Sequence, residues 1–471
     1  MIPSRPLVPP PGDERSPSES LETSPLLRTR RRPGPSAAAS GDPAREPRDA
    51  APSAAPETEV VGLARDTRMV APSAAPSMVP TRFRTAFSDR RNALRALGTL
   101  ALAPVLLSGL AAPAAAQSRP DQVLWTNPRG RTVTDTGKIT ENSLEKVVID
   151  KGRGDKSIDV ANVQRVVFGD VPPSFTEGTA YFDRRQFAEA AKAFQLAAGD
   201  ASARDIVKAR ARLSAAQAYL QHGAQDPSAF AQAQAEVETF ISDYSDNREL
   251  PEARLLLGRA QRLSGDAAAA AKTYADLFGE AAAGTSGYPK KICFRAGVGA
   301  AEAYIASGDA EKARGLYGNL ESAVTSGLAD LDERSPDRRE FLLLQNQARL
   351  GEGFCLLAKG STSQAKTFFK GRLDGANGNA PLRHGARLGL AEALLAEGKV
   401  REAQIEFAQV SAIDHTDRDR VARALVGLAQ CSLKLSDKNA NASAKRSLET
   451  VRDNYGDTPS VLRAQELLQT L

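Results

Sequence analysis

The side chains able to do chemistry are few and scattered. The chain has three cysteines (Cys293, Cys355, Cys431) and three histidines (His222, His384, His415) in 471 residues. A zinc site needs Cys or His ligands at short paired spacing, and no pair here has it. A nucleophilic thiol or hydroxyl needs a base beside it, and no histidine neighbours a candidate nucleophile. Gly152-Arg-Gly-Asp-Lys-Ser157 lacks the four-residue gap that lets backbone amides cradle a phosphate, and its Arg153-Gly-Asp155 reads as a hairpin turn. Gly297-Val-Gly-Ala-Ala-Glu302 lacks a third glycine and a preceding strand. Asn441-Ala-Ser443 fits a glycosylation acceptor formally. No catalytic, cofactor-binding or metal-ligating residue is assigned, and the chain is expected not to be an enzyme.

The charge is unevenly spread. Residues 1–116 hold 15 Arg and no Lys against 11 acidic residues, although the formal charge of the whole is only +5. Beyond them the chain is close to neutral, which argues against nucleic acid as a partner. Residues 1–77 are rich in Pro, Ala, Ser and Arg, a composition that cannot bury enough apolar surface to order itself. Residues 78–116 differ: Arg82, Arg84, Arg90, Arg91 and Arg95 lead into an apolar run over Ala96–Leu110, and Ala114-Ala-Ala116 precedes Gln117. A basic flank, an apolar centre and an A-x-A end are the parts of a secretory signal peptide, with cleavage expected near Ala116. Gly98, Pro104, Gly109 and Pro113 interrupt the run and argue against a membrane anchor. Such a signal belongs at a chain start, so translation is expected to begin at Met78 in place of Met1 or Met69; Arg90-Arg91 leaves twin-arginine export open beside the general route.

Residues 121–170 hold short β-branched runs (Val123–Trp125, Arg131–Thr134, Lys146–Ile149, Ser157–Val160, Val163–Phe168). Asn127-Pro128, Thr136-Gly137 and Lys151–Asp155 supply turn signals between them. They predict a small β-meander or partly closed barrel, packed on the first helical unit through Val171-Pro-Pro173.

From residue 174 to 471 the chain repeats. A small residue in the first helix of each unit falls at Gly178, Ala216, Gly258, Ala301, Gly353, Ala391 and Ala429. A second-helix alanine falls at Ala190, Ala233, Ala270, Ala313, Ala365, Ala403 and Ala444, and four residues on stand Phe194, Val237, Tyr274, Tyr317, Phe369, Phe407 and Leu448. Gly223, Gly265, Gly308, Gly360 and Gly398 mark the turns, where glycine tolerates a positive φ; Arg185 takes that place in the first unit. Cys355 and Cys431 occupy core places held elsewhere by Ala180, Ala218, Ala303 and Ala393, which makes them alanine stand-ins. The clearest unit is Gly389–Val410. One such hairpin cannot bury its own apolar stripe and needs a neighbour.

A small residue, an aromatic three later, an alanine nine beyond and an aromatic four further resembles the tetratricopeptide repeat pattern. The resemblance covers roughly residues 174–471, with longer intervals than the family's and without its early Trp. Phe240–Asn247 and Val451–Pro459 are similar to segments of exported members, the Tol–Pal system coordinator and outer-membrane assembly lipoproteins. The resemblance implies a mainly α fold: a right-handed α-solenoid of about seven hairpins, closed by a capping helix over Ser460–Leu471. It implies a periplasmic scaffold of the bacterial cell envelope that holds a protein or peptide partner in its groove, with neither cofactor nor small-molecule substrate. Two other roles are weighed: a self-associating architectural protein, and an accessory subunit of an envelope enzyme complex.

Overall fold

In the computed structural model, which describes residues 119–282, 287–436 and 438–471, alternating apolar residues build a five-stranded antiparallel sheet before the helices begin. The strands are β1 (Asp121–Thr126), β2 (Thr132–Asn142), β3 (Lys146–Asp150), β4 (Asp155–Asp159) and β5 (Val163–Val167), in the order β4-β3-β2-β1-β5. Val123, Ile139, Val147, Ile149 and Ile158 face one another in its core. The expected turn at Thr136-Gly137 is not a turn. Both residues lie inside β2, paired with Gln122 and Asp121 of β1, and β2 passes to β3 one residue later. Gly137 is the pivot of that change of partner: a Cβ there would sit 2.2 Å from the Asp150 carbonyl oxygen. Glycine in this strand therefore marks a close backbone approach. Val160 likewise leaves the predicted strand to start a short 3-10 turn, Val160–Asn162, capped by Asp159.

Fifteen helices follow among the described residues: α1 (Pro173–Asp183), α2 (Phe187–Gly199), α3 (Asp205–His222), α4 (Ser228–Asp243), α5 (Leu250–Leu263), α6 (Ala267–Ala282), α7 (Lys290–Ala306), α8 (Ala310–Asp330), α9 (Arg338–Ala358), α10 (Thr362–Asp374), α11 (Ala380–Ala396), α12 (Val400–Ile413), α13 (Arg418–Leu435), α14 (Ala440–Asn454) and α15 (Ser460–Gln469). They form seven hairpins and a closing helix, as the periodicity predicts. None is long and apolar enough to cross a membrane. The readings of residues 1–77 and 78–116 lie outside the described residues.

The predicted small residues of both helices, and the residues four beyond the second-helix alanines, are buried, whereas Ala180 is only half-buried. The second-helix alanines from Ala190 to Ala444 are fully inaccessible, and so are Phe369 and Leu448. The aromatic rings do more than fill their own hairpin. Phe369 of α10 lies between Gly353 of its own unit and Gly389 of the next, where added Cβ atoms would fall 2.4 and 2.2 Å from the ring. Tyr274 is sandwiched in the same way by Gly258 and Gly299. One flat side chain thus joins two units, which is the neighbour term that stabilises a solenoid. The long interval between units four and five is taken up in helix: α8 and α9 each run 21 residues.

Gly265, Gly308, Gly360 and Gly398 adopt positive φ, as their turns demand. Gly223 does not. Its backbone is right-handed helical, and it is small because the Phe230 ring would stand 2.2 Å from a Cβ. In the first unit Arg185 itself takes a φ of 63°, and its guanidinium reaches the far end of the chain.

Pro172 caps the start of α1 and is itself buried, and the sheet is also tied to the second unit by polar bonds. The anchor is Asp121, 2% exposed, which accepts N–H groups from Ile139 and Gly169 at 2.8 Å each and a two-pronged contact from Arg204 at 2.7 and 2.8 Å. Ile206, one residue into α3, packs on the sheet core, and the α4–α5 loop hydrogen-bonds the β2–β3 corner through Leu144 and Asn142.

Candidate functional site

First helices of successive units pack on one another, α5 on α7, α7 on α9, α9 on α11 and α11 on α13, so they form one continuous inner face. The array turns far enough for its end to meet its beginning. Gln465 of α15 donates to the carbonyl oxygens of Gly223 and Ala224 at 3.0 and 2.9 Å. Val461, fully buried, joins the core formed by Ala224, Phe230 and Leu263. Arg185 donates to Asn454 and to the Asp453 carbonyl, and Arg259 pairs with Asp457 at 3.5 Å. On its other side α15 sets Ala464 and Leu467 against α13 and α14. The predicted capping helix therefore has two partners, the last hairpin and the second.

Under the start of α15 the inner face lines a half-open chamber of about 460 Å³. Its wall is apolar (Val298, Ile305, Leu350, Phe354), and its charged groups come from α5, α7, α11 and α13, with Asp417 capping the last. Arg262 pairs with Glu302 at 2.7 Å. Arg423 grips both oxygens of Glu392 at 2.8 Å and lies over the Phe354 ring at 4.6 Å. Arg420 pairs with Asp414 at 2.5 Å and with Asp417 at 3.2 Å, while Gln347 donates to Asp417 at 2.9 Å. A second cavity of about 690 Å³ continues along α15, sharing Glu392, Arg423 and Ser460 with the first.

Asp419 stands apart from this pairing. It lines the chamber in the first turn of α13, with neither a hydrogen bond nor an ion pair among the described residues. Burial, with Glu302 and Asp417 adding to it, pushes its carboxyl up to about 6 against the opposing pull of Arg259 and Arg262.

The cysteines and histidines lie elsewhere. All three thiols are buried, and desolvation pushes each up to about 11, the direction that suppresses a thiolate. His222 ends α3, with Asp226 at 3.9 Å, and His415 lies exposed in the α12–α13 loop. His384 is buried on α11, with Nδ1 3.4 Å from Asp414. Among the described residues no group of three or more His, Cys, Asp or Glu could hold a metal ion.

Of the chamber residues only Tyr317 belongs to the pattern of small and aromatic positions, because that pattern records packing. A signal was present one residue further on. The residue after each first-helix small position is Arg259, Glu302, Phe354, Glu392 and Gln430 in units three to seven, and all but Arg259 line one of the two cavities. The chamber's closure has no local signal, since it joins residues some 240 positions apart.

The hairpins and the inner face define an α-solenoid of tetratricopeptide-like units. Among solved structures, the chain is similar to a tetratricopeptide repeat protein from Parabacteroides merdae, at 14% identity and a TM-score of 0.38, over 63% of this chain and 96% of that one. It is also similar to a Podosopora anserina chain of nearly identical TPR-like repeats, at 17% identity and a TM-score of 0.26, over 47% and 98% of the respective chains. No protein-family model and no curated protein matches the sequence. The fold assignment rests on the seven hairpins themselves.

Proposed function

We propose that the chain is a non-catalytic scaffold that holds a segment of another protein against its inner face, in the periplasm of a bacterial cell. The observation that carries this reading is the chamber. It combines an apolar wall with polar groups held in place by their own ion pairs, the make-up of a recognition site. The thiols and His384 are buried, His222 ends a helix and His415 lies in a loop. The basic and apolar stretch ending at Ala114-Ala-Ala116 supports export.

Crosslinking in intact cells followed by affinity capture tests the reading. The native chain should enrich one foreign envelope protein, and Ile305→Glu, which places a charge on the chamber wall, should lose it while keeping the native helical signal. Recovery of the chain's own copies alone would instead favour self-association, and equal capture by the variant would remove the chamber from the interaction.

A further inference from the structure

Taking the scaffold reading as given, we propose that the chamber receives a basic side chain, lysine or arginine, carried by an otherwise apolar segment of the partner, with Asp419 as its counter-ion. Charge complementarity selects this occupant. The chamber is lined by three guanidiniums, Arg262, Arg420 and Arg423, and each is committed to a carboxylate already in place. Four carboxylates line it, and Glu302, Glu392 and Asp417 are the ones so paired. Asp419 is the carboxylate left over. Outside the lining, Arg259 of α5 also draws on Asp419, but it pairs with Asp457 at 3.5 Å, which receives Arg418 at 2.9 Å as well. An anionic ligand would meet Glu302, Asp417 and Asp419 with no guanidinium free to receive it. A wholly apolar ligand would strip the remaining water from Asp419 and offer nothing back. A cation on an aliphatic stem satisfies both features, its stem lying along Val298, Ile305 and Leu350 and its charge reaching Asp419.

Packing gives Asp419 no reason to be charged. Acids in the first turn of a helix are ordinarily stabilised by the helix dipole, yet here the surroundings disfavour the ionised form. A carboxylate that lines a cavity with neither a hydrogen bond nor an ion pair has the profile of a binding residue.

The test is isothermal titration calorimetry on the full chain with three capped tripeptides, Leu-Lys-Leu, Leu-norleucine-Leu and Leu-Glu-Leu, and with n-hexylamine. The lysine peptide should bind at least about tenfold more tightly than the other two, the scale of one desolvated charge interaction. Asp419→Asn should abolish that preference while leaving the thermal midpoint at pH 7 equal to or above the native one. Equal binding of the three peptides, a preference for glutamate, or an unchanged preference in Asp419→Asn would each overturn the proposal. Binding of n-hexylamine as tight as that of the lysine peptide would overturn the polypeptide source in favour of a free amine. Absence of all peptide binding, with capture of a cellular partner intact, would refute the basic side chain and spare the scaffold. Lysine-selective binding with no captured partner would do the reverse.

Discussion

Phe369→Ala will lower the unfolding free energy by about 3–5 kcal/mol, the range for deleting a fully buried phenylalanine. Its ring has no solvent exposure and fills the gap between Gly353 and Gly389. Neither glycine has a side chain with which to collapse into the space. The residual cavity should therefore stay large, which puts the cost toward the upper end. The ring also links unit five to unit six, so the loss falls on an interface as well as on a hairpin. In a quasi-one-dimensional array a weakened interface uncouples the units on either side. Chemical denaturation followed by circular dichroism should show a lower midpoint and a broader transition. An unchanged midpoint would mean that the ring does not bridge the two units.

Arg204→Ala should cost about 3–5 kcal/mol locally, because it leaves Asp121 buried without its cation. The effect should be confined to the sheet. Trp125, the only tryptophan of the chain, lies in β1 and donates to Asp135 at 2.7 Å, so its fluorescence reports on the sheet while far-ultraviolet dichroism reports on the helices. The two unfolding curves should separate in the variant, with fluorescence changing first. Superimposable curves at the native midpoint would show that Arg204 does not anchor the sheet. Acid should mimic the variant. Burial raises the Asp121 carboxyl, but Arg204 and two backbone N–H groups outweigh it and hold it below its ordinary value of 3.8. Asp135 is similarly desolvated, yet its bonds from Lys151, Lys156 and Trp125 bring it down to about 2. A depressed acid contributes stability that is present above its unfolded pKa and is lost as pH falls through the folded one. The fluorescence transition should therefore weaken below about pH 4 in the native chain, with the Asp135 contribution gone only near pH 2.

Much of the architecture was legible in the sequence because helix packing is local and periodic. Ala403, Phe407 and Val410 announce one hairpin, and their counterparts announce the others, down to the closing helix at Ser460. Where the reading failed, a residue answered to something distant. Gly137 has the composition of a turn but is set by the Asp150 carbonyl on the next strand. Gly223 occupies the place of a turn glycine but is set by the Phe230 ring. Arg185 departs from the glycine pattern, and its guanidinium is in use some 270 residues away. The chamber was the least legible part. Its polar side chains sit on packed helices, and in sequence they look like any solvated face until the array closes around them.

The central claim is that the array closes, so that α15 rests on the second hairpin and roofs the chamber. Paired spin labels at Gln225→Cys and Glu466→Cys test it most directly. Both positions are accessible, and they flank the Gln465 hydrogen bonds to Gly223 and Ala224, while the native cysteines are buried. Double electron–electron resonance should give one short, narrow distance distribution in the free protein. A long or broad distribution would mean that the ends stand apart in solution, that the inner face is an open groove, and that the chamber and its selectivity do not exist as described.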